Sequence, residues 1–227
     1  MNITNDKIIA FIESYYKSID DEMEGLRKKN EDKGIPIILR ETENFLSFIL
    51  SLVKPKHILE IGTAYGYSAL FFAKTLPNAE ITTIERSQQM VSVASANFEC
   101  FSAGERINFY DGDASKILDS MIEDHSANSD LDLYDFVFID ASKSHYREFF
   151  DKAEKLCKPG AIIICDNILI HGWIVDRSYE GGKRHRTNIK YMKQFIDYIQ
   201  ERDDLTVSII SSGDGLALIK LNNEYKN

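Results

Sequence analysis

Asp140, Lys143, Asp166 and Asn167 bring the strongest chemistry into view. They stand in Phe138-Ile139-Asp140-Ala141-Ser142-Lys143 and in Ile164-Cys165-Asp166-Asn167. Each acid closes a short apolar run, so each is expected at the end of a strand. Two carboxylates and an amide oxygen make a hard, all-oxygen donor set that suits Mg²⁺ and leaves positions for water and substrate. Without a cation, two close acids repel and one pKa rises. The plain reading of the same acids is that they end strands or cap helices, and a lone lysine is ordinarily a solvated surface charge.

A second group lies earlier in the chain. Glu60-Ile61-Gly62-Thr63-Ala64-Tyr65-Gly66-Tyr67-Ser68 places glycines where a strand turns into a helix. Glycine lets the backbone turn sharply and approach a ligand closely. The spacing of four is not G-x-G-x-x-G, which disfavours a dinucleotide pyrophosphate site. Glu85 closes the next apolar run, where an acid can accept hydrogen bonds from both hydroxyls of a ribose. Asp111-Gly112-Asp113-Ala114 follows a third run and could edge an adenine.

The elements that must position these residues follow from periodicity. Ile8, Phe11, Ile12, Tyr15, Ile19, Met23 and Leu26 recur at helical spacing to about residue 29, and Gly34 and Pro36 interrupt them. Phe45, Leu46, Ile49, Leu50 and Val53 share the face of a second helix, which Pro55 ends. Strands are then expected at 57–61, 80–85, 106–110, 136–140 and 161–165. Helices are expected at 67–76, 88–101, 114–123, 145–157 and 187–202. Lys158-Pro159-Gly160 reads as a turn, 125–132 as a polar surface loop, and 206–210 with 216–221 as a hairpin around Ser211-Ser212-Gly213-Asp214-Gly215. Alternating strands and helices predict an α/β fold with a mostly parallel sheet, helices on both faces and an antiparallel C-terminal strand. Ligands of such sheets bind at the carboxyl ends of the strands, where the suggestive residues gather.

The chain has 227 residues, 44% of them hydrophobic, which suits one domain with a substantial core. The formal net charge of −9 does not suggest a general nucleic-acid coat but leaves room for a local basic patch. Cys100, Cys157 and Cys165 form no C-x-x-C pair, so a reducing cytosol fits. The first residues lack a signal-peptide pattern, and no apolar run reaches the roughly 18 residues needed to span a bilayer. A cytoplasmic protein is expected.

Ile58-Leu59-Glu60-Ile61-Gly62-x-x-x-Gly66-Tyr67-Ser68 closely resembles the cofactor motif of the catechol and caffeoyl-coenzyme A O-methyltransferase family, and the resemblance runs from about Ile35 to Leu221. It implies a Rossmann-like class I methyltransferase binding S-adenosylmethionine. The whole chain would be one domain, with 1–35 as a helical extension and 36–221 as the core. Carried over residue by residue, Gly62, Thr63 and Ser68 would line the methionine part of the cofactor and Glu60 would support that loop. Glu85 would hold the ribose, Asp113 and Ala114 would border the adenine, and Ile38 would offer a backbone contact. Residues matching Asp140, Asp166 and Asn167 hold the metal in the family, Asp140 also approaches the cofactor, and Lys143 matches its catalytic lysine. Family members are commonly homodimers, and the aromatic-rich N-terminal helices could form that interface or cover the substrate.

The segment after Asn167, Ile168-Leu169-Ile170-His171-Gly172-Trp173-Ile174-Val175, precedes Lys183-Arg184-His185-Arg186-Thr187. Together with Gly213-Asp214-Gly215-Leu216-Ala217-Leu218 and Ile35-Pro36-Ile37-Ile38, it resembles the bacterial branch that methylates 5-hydroxyuridine at the tRNA wobble position to 5-methoxyuridine. In 5-hydroxyuridine the 5-hydroxyl and 4-carbonyl oxygens sit on adjacent carbons and can chelate Mg²⁺ as a catechol does. Lys183, Arg184 and Arg186, with His185, could meet anticodon phosphates, and Arg177, Lys190 and Lys193 could extend that patch. Trp173 or Tyr179 could stack on an unpaired base, although Trp173 could equally be core or dimer contact. The alternatives are a catechol-type enzyme acting on a small phenol and a non-catalytic nucleotide-binding protein. The intact Asp140, Lys143, Asp166 and Asn167 set argues against the second.

Overall fold

The computed structural model describes residues 6–128, 131–175 and 185–222. Residues 6–114 form one compact unit, and 115–222 are the described part of the other. The first holds α1 (Asp6–Glu13), α2 (Asp21–Asp32), α3 (Arg40–Val53), β1 (His57–Ile61), α4 (Tyr67–Thr75), β2 (Glu80–Glu85), α5 (Gln88–Cys100) and β3 (Ile107–Asp111). From the boundary onward come α6 (Ala114–Ala127), β4 (Tyr134–Ile139), α7 (Tyr146–Glu154), β5 (Cys157–Cys165), α8 (Arg186–Gln200), β6 (Leu205–Ile210) and β7 (Leu216–Leu221).

Within residues 6–114 the strand order is β3-β2-β1, and within 115–222 it is β4-β5-β7-β6. β1 pairs with β2, β2 with β3, and β4 with β5 in parallel, whereas β7 pairs antiparallel with both β5 and β6. A parallel pair needs a crossover and the helices supply it. The expected mostly parallel sheet with an antiparallel C-terminal strand is therefore present. Strands covered on both faces read as apolar runs, and Ile58, Leu59, Ile61, Phe136, Val137, Phe138, Ile139, Ile163 and Ile164 are all fully buried. α4 is buried from Tyr67 through Ala73, because Ala69, Leu70, Phe71, Phe72 and Ala73 leave it no polar face. Among the described residues no helix is long and apolar enough to cross a membrane.

Two expectations are corrected. The N-terminal stretch is two helices rather than one. The Ser14 hydroxyl donates to the Phe11 carbonyl near the end of α1, and Asp20 then caps α2 by accepting from the Met23 N–H at 2.8 Å. Lys158-Pro159-Gly160 is not a turn but lies inside β5. The register with β4 jumps from Tyr134↔Cys157 to Phe136↔Ile162, so the extra β5 residues bulge out of the ladder. Pro159 has no N–H to pair, and Gly160 takes φ +82°. Beyond the bulge the ladder is regular to Ile139↔Cys165, and Asp166 follows β5 with its N–H on the Ile139 carbonyl at 2.9 Å.

Candidate active site

In residues 6–114, the loop after β1 takes left-handed backbone at Gly62 (φ +105°), Ala64 (φ +47°) and Gly66 (φ +82°). The N–H groups of Gly62 and Thr63 both donate to the Ile84 carbonyl, at 3.1 and 3.2 Å, folding the loop over the end of β2. A Cβ on Gly66 would stand 2.5 Å from the Phe98 ring, so packing as well as φ requires glycine there. Beneath the loop, Glu60 is fully buried and accepts from the Thr83 hydroxyl. That hydroxyl has one proton, so at the 2.6 Å Thr63–Thr83 contact Thr63 must be the donor. A buried carboxylate thus orients two hydroxyls in sequence, and the second belongs to the loop.

Glu85, at the end of β2, is half-exposed, and its carboxylate accepts from backbone. One oxygen takes the Ala64 N–H at 3.0 Å, and the other takes those of Arg86 and Ser87 at 2.9 Å each. The charge is fixed in place beside the loop and still exposed on one side. Gln88 donates its amide to both oxygens of Asp111 at 2.7 and 2.8 Å, and the Gly112 N–H reaches the Glu85 carbonyl at 2.8 Å. Asp113 is exposed and Ala114 begins α6. Ser68 is buried in the first turn of α4.

The Ile38 carbonyl accepts from the Arg27 guanidinium at 3.0 Å. Arg27 is buried and also donates to the Tyr67 hydroxyl at 3.2 Å, to Glu31 at 3.0 Å and to Glu43. Tyr67 in turn donates to Glu43 at 2.7 Å. Burial, followed by the nearby Glu43 charge, pushes the Tyr67 phenol above its ordinary pKa, so it remains a donor. This network joins α2, α3 and the start of α4. Sequence reasoning missed it, although Met23, Leu26, Arg27 and Asn30 repeat at i, i+3, i+4 and i+7, which puts a cation on the buried face of α2.

In residues 115–222, the carboxylates meet a lysine. Asp140 follows β4 and Asp166 follows β5. The Lys143 ammonium donates to Asp140 Oδ1 at 3.1 Å, to Asn167 Oδ1 at 3.0 Å and to the Tyr146 hydroxyl at 2.8 Å. Tyr146, buried at the start of α7, donates its own proton to the Asp166 carbonyl at 2.7 Å. Burial raises its pKa well above the usual phenol value, with Asp140, Cys165 and Asp166 adding to the rise. Asp166 is buried, and Oδ1 accepts from Asn167 N at 2.6 Å and Nδ2 at 3.2 Å. Desolvation first, then the Asp140 charge, push its carboxyl upward. Asn167 takes left-handed backbone at φ +55°. Tyr146 was not anticipated; only its place three residues after Lys143 could have drawn attention to it.

The structure thus brings Asp140, Lys143 and Asn167 into direct contact, with Asp166 beside Asn167. Among the described residues no group of three or more His, Cys, Asp or Glu forms a metal cage. Arg186 is exposed at the start of α8, as are Lys190 and Lys193. Arg177, Tyr179, Lys183 and Arg184 lie outside the described residues. Trp173 is half-buried and stacks on His185, with ring centroids 4.7 Å apart and planes 23° apart, and it meets His171 edge-on at 5.1 Å.

The family model for O-methyltransferases matches residues 14–222. The chain is 29% identical over 181 residues to a catechol O-methyltransferase of Niastella koreensis, covering 77% of this chain and 80% of the relative. It is 32% identical over 183 residues to a caffeoyl-CoA O-methyltransferase of Populus kitakamiensis, covering 78% and 74%. Among solved structures, a Staphylococcus aureus protein named as a candidate caffeoyl-CoA O-methyltransferase superposes with a TM-score of 0.82 at 27% identity, over 95% of this chain and 98% of that one.

Proposed function

This chain belongs to the O-methyltransferase family and is an S-adenosylmethionine-dependent O-methyltransferase of the catechol/caffeoyl-coenzyme A type, and from that premise we propose that it methylates one oxygen of a vicinal oxygen pair on a planar ring with the help of a divalent cation. The observation that carries the cation is the place of the Lys143 ammonium. It lies about equally far from Asp140 Oδ1 and Asn167 Oδ1, which therefore converge on positive charge, and Asp166 adds a second carboxylate. An all-oxygen set of this kind fits Mg²⁺. Asp140, Asp166 and Asn167 would hold the ion, which when bound supplies Lewis-acid polarisation of an acceptor hydroxyl.

The chain's own residues account for the rest. Gly62, Thr63, Ser68 and the Ile38 backbone would seat the methionine end of S-adenosylmethionine, and Glu60 would hold that loop through Thr83. Glu85 would take the ribose hydroxyls and Asp113 and Ala114 the adenine edge. Asp140 would serve both the cofactor and the ion. Lys143 gives its three N–H bonds to Asp140, Asn167 and Tyr146; with Asp140 and Asn167 turned to a cation, its ammonium would be released to steady the acceptor's oxygen anion after proton loss. Methyl transfer then needs in-line positioning of that oxygen and no covalent intermediate on the protein.

The finer reading is that the acceptor is 5-hydroxyuridine at the tRNA wobble position, giving 5-methoxyuridine in the cytoplasm. The exposed Arg186 and the Trp173–His185 stack support it, since RNA recognition uses cations for phosphates and aromatic faces for unpaired bases. A small catechol-type phenol is the second reading, favoured by the activities named for the curated relatives. The family match over 14–222 supports one catalytic domain. A homodimer completes the proposal, supported by Phe11 on α1, Tyr15 just after it, and Phe48 and Leu52 on α3, all more than 60% exposed. The deciding experiment is mass spectrometry of tRNA nucleosides from a deletion strain, paired with in vitro assays on that tRNA and on catechol. Loss of 5-methoxyuridine with accumulated 5-hydroxyuridine is expected. Unchanged tRNA together with efficient turnover of catechol would give the second reading the lead.

A further inference from the structure

The residues that follow Asn167 adopt a backbone that their side chains do not favour. Asn167, Ile170 and His171 are left-handed at φ +55°, +49° and +55°. Such a conformation costs a non-glycine residue roughly 1–3 kcal/mol and persists only where the surroundings over-determine it. The surroundings here are the tip of the β6–β7 hairpin, more than 40 residues further along the chain. The Ile168 N–H donates to the Gly215 carbonyl at 3.1 Å, and the Leu169 N–H donates to the Asp214 carbonyl at 2.9 Å. The His171 N–H donates to the largely buried Asp214 carboxylate, whose other oxygen lies 3.7 Å from His171 Nδ1. Gly215 sits at φ +85°, and a Cβ there would stand 2.3 Å from Leu169 Cγ, so the hairpin and the turn touch without slack.

We propose that Asp214 is a positioning residue for the cation-binding oxygens: its carboxylate locks the left-handed turn that aims the Asn167 amide oxygen. The inference rests on the reading of Asp140, Asp166 and Asn167 as a divalent-cation set. Asn167 is the only one of the three that would reach the cation through a neutral amide, and the only one on left-handed backbone. Its direction is therefore set by the turn it begins rather than by its own charge. The chemistry asked of Asp214 is that of an acceptor, not of a charge, and this separates the proposal from a simple electrostatic effect.

The test compares Asp214→Ala and Asp214→Asn with the wild-type chain, each saturated with S-adenosylhomocysteine. Two readouts are hydrogen exchange of a peptide covering 167–173 and titration with Mn²⁺ followed by electron paramagnetic resonance. Asp214→Ala is expected to exchange faster and to bind Mn²⁺ at least about tenfold more weakly, the usual consequence of losing an outer-shell partner. Asp214→Asn keeps an acceptor oxygen for the His171 N–H and is expected to stay near wild type in both. Unchanged affinity for S-adenosylhomocysteine checks that the variants fold. The proposal is overturned if Asp214→Ala leaves exchange and Mn²⁺ affinity unchanged. It is also overturned if Asp214→Asn falls as far as Asp214→Ala, since charge would then be the cause. If the wild type takes up no Mn²⁺, the reading of the oxygen set fails; the exchange comparison alone then decides whether Asp214 holds the turn.

Discussion

The loop after β1 and the turn after β5, the proposed cofactor and cation sides of the site, are held in opposite ways. The first is secured by neighbours on the adjoining strand: the Ile84 carbonyl, the Thr83 hydroxyl and the Glu85 carboxylate. Two of its three left-handed positions are glycines, which adopt that backbone at little cost. The second places left-handed backbone on Asn167, Ile170 and His171 and depends on a hairpin far along the chain. The first is a locally built socket. The second is a strained arm braced from a distance, so its geometry can be altered by residues that touch no ligand.

The largest expected effect lies on the braced side. Asp166→Ala removes a buried carboxylate from the proposed cation set, and methyl transfer should fall by about two orders of magnitude or more, since Lewis-acid stabilisation is worth several kcal/mol. Affinity for S-adenosylhomocysteine, measured by calorimetry, should be nearly unchanged, because the socket after β1 does not use Asp166. Chelation with EDTA should mimic the loss in the wild type, and added Mg²⁺ should reverse it. Full turnover of metal-free enzyme would remove the cation from the mechanism.

An intermediate effect is expected on the local side. Glu85→Ala should weaken S-adenosylhomocysteine binding by roughly 1.5–3 kcal/mol for each charged hydrogen bond lost to the ribose. Because the carboxylate also accepts from the N–H groups of Ala64, Arg86 and Ser87, part of that loss would come from a loosened loop. Glu85→Gln keeps one acceptor oxygen and should recover part of the affinity. Calorimetry that finds Glu85→Ala unchanged would mean that Glu85 is not a ribose ligand and that its hold on the loop does not bear on binding.

The same contrast explains what the sequence made legible. Gly62, Gly66, Glu60 and Glu85 stand within single motifs, and their conformational demands are written in residue type, so the socket could be read directly. Asp140, Asp166 and Asn167 drew notice because apolar runs mark the strand ends they follow, whereas Lys143 was singled out by the family resemblance. Tyr146 and Asp214 were read as helix and hairpin-loop residues, because contacts across long stretches of chain leave no local pattern. Arg27 was passed over as one charge on a charged helix, although its spacing from Met23 puts it on the buried face. Lys158-Pro159-Gly160 carries the chemistry of a turn, but pairing of β5 with β4 on either side turned it into a bulge. Local preference yielded there to the ladder.

The smallest effect concerns the acceptor and extends the comparison to the surface. Arg186 is exposed at the start of α8, and Lys183 and Arg184 lie in the segment just before it that the structure does not describe. If these cations meet anticodon phosphates, replacing Arg184 and Arg186 with Gln should raise the apparent KM for tRNA. It should also flatten the salt dependence by roughly 0.7–0.9 in logarithmic slope for each phosphate contact removed. Methylation of free catechol should barely move, because a small acceptor needs only the cation oxygens and Lys143. An equal loss on both substrates would instead assign this segment to the wall of the active site. An unchanged salt slope on tRNA would make Arg184 and Arg186 solvated charges at a helix entrance. Recognition would then have to come from the stacked Trp173 and His185, whose removal should impair tRNA without altering that slope.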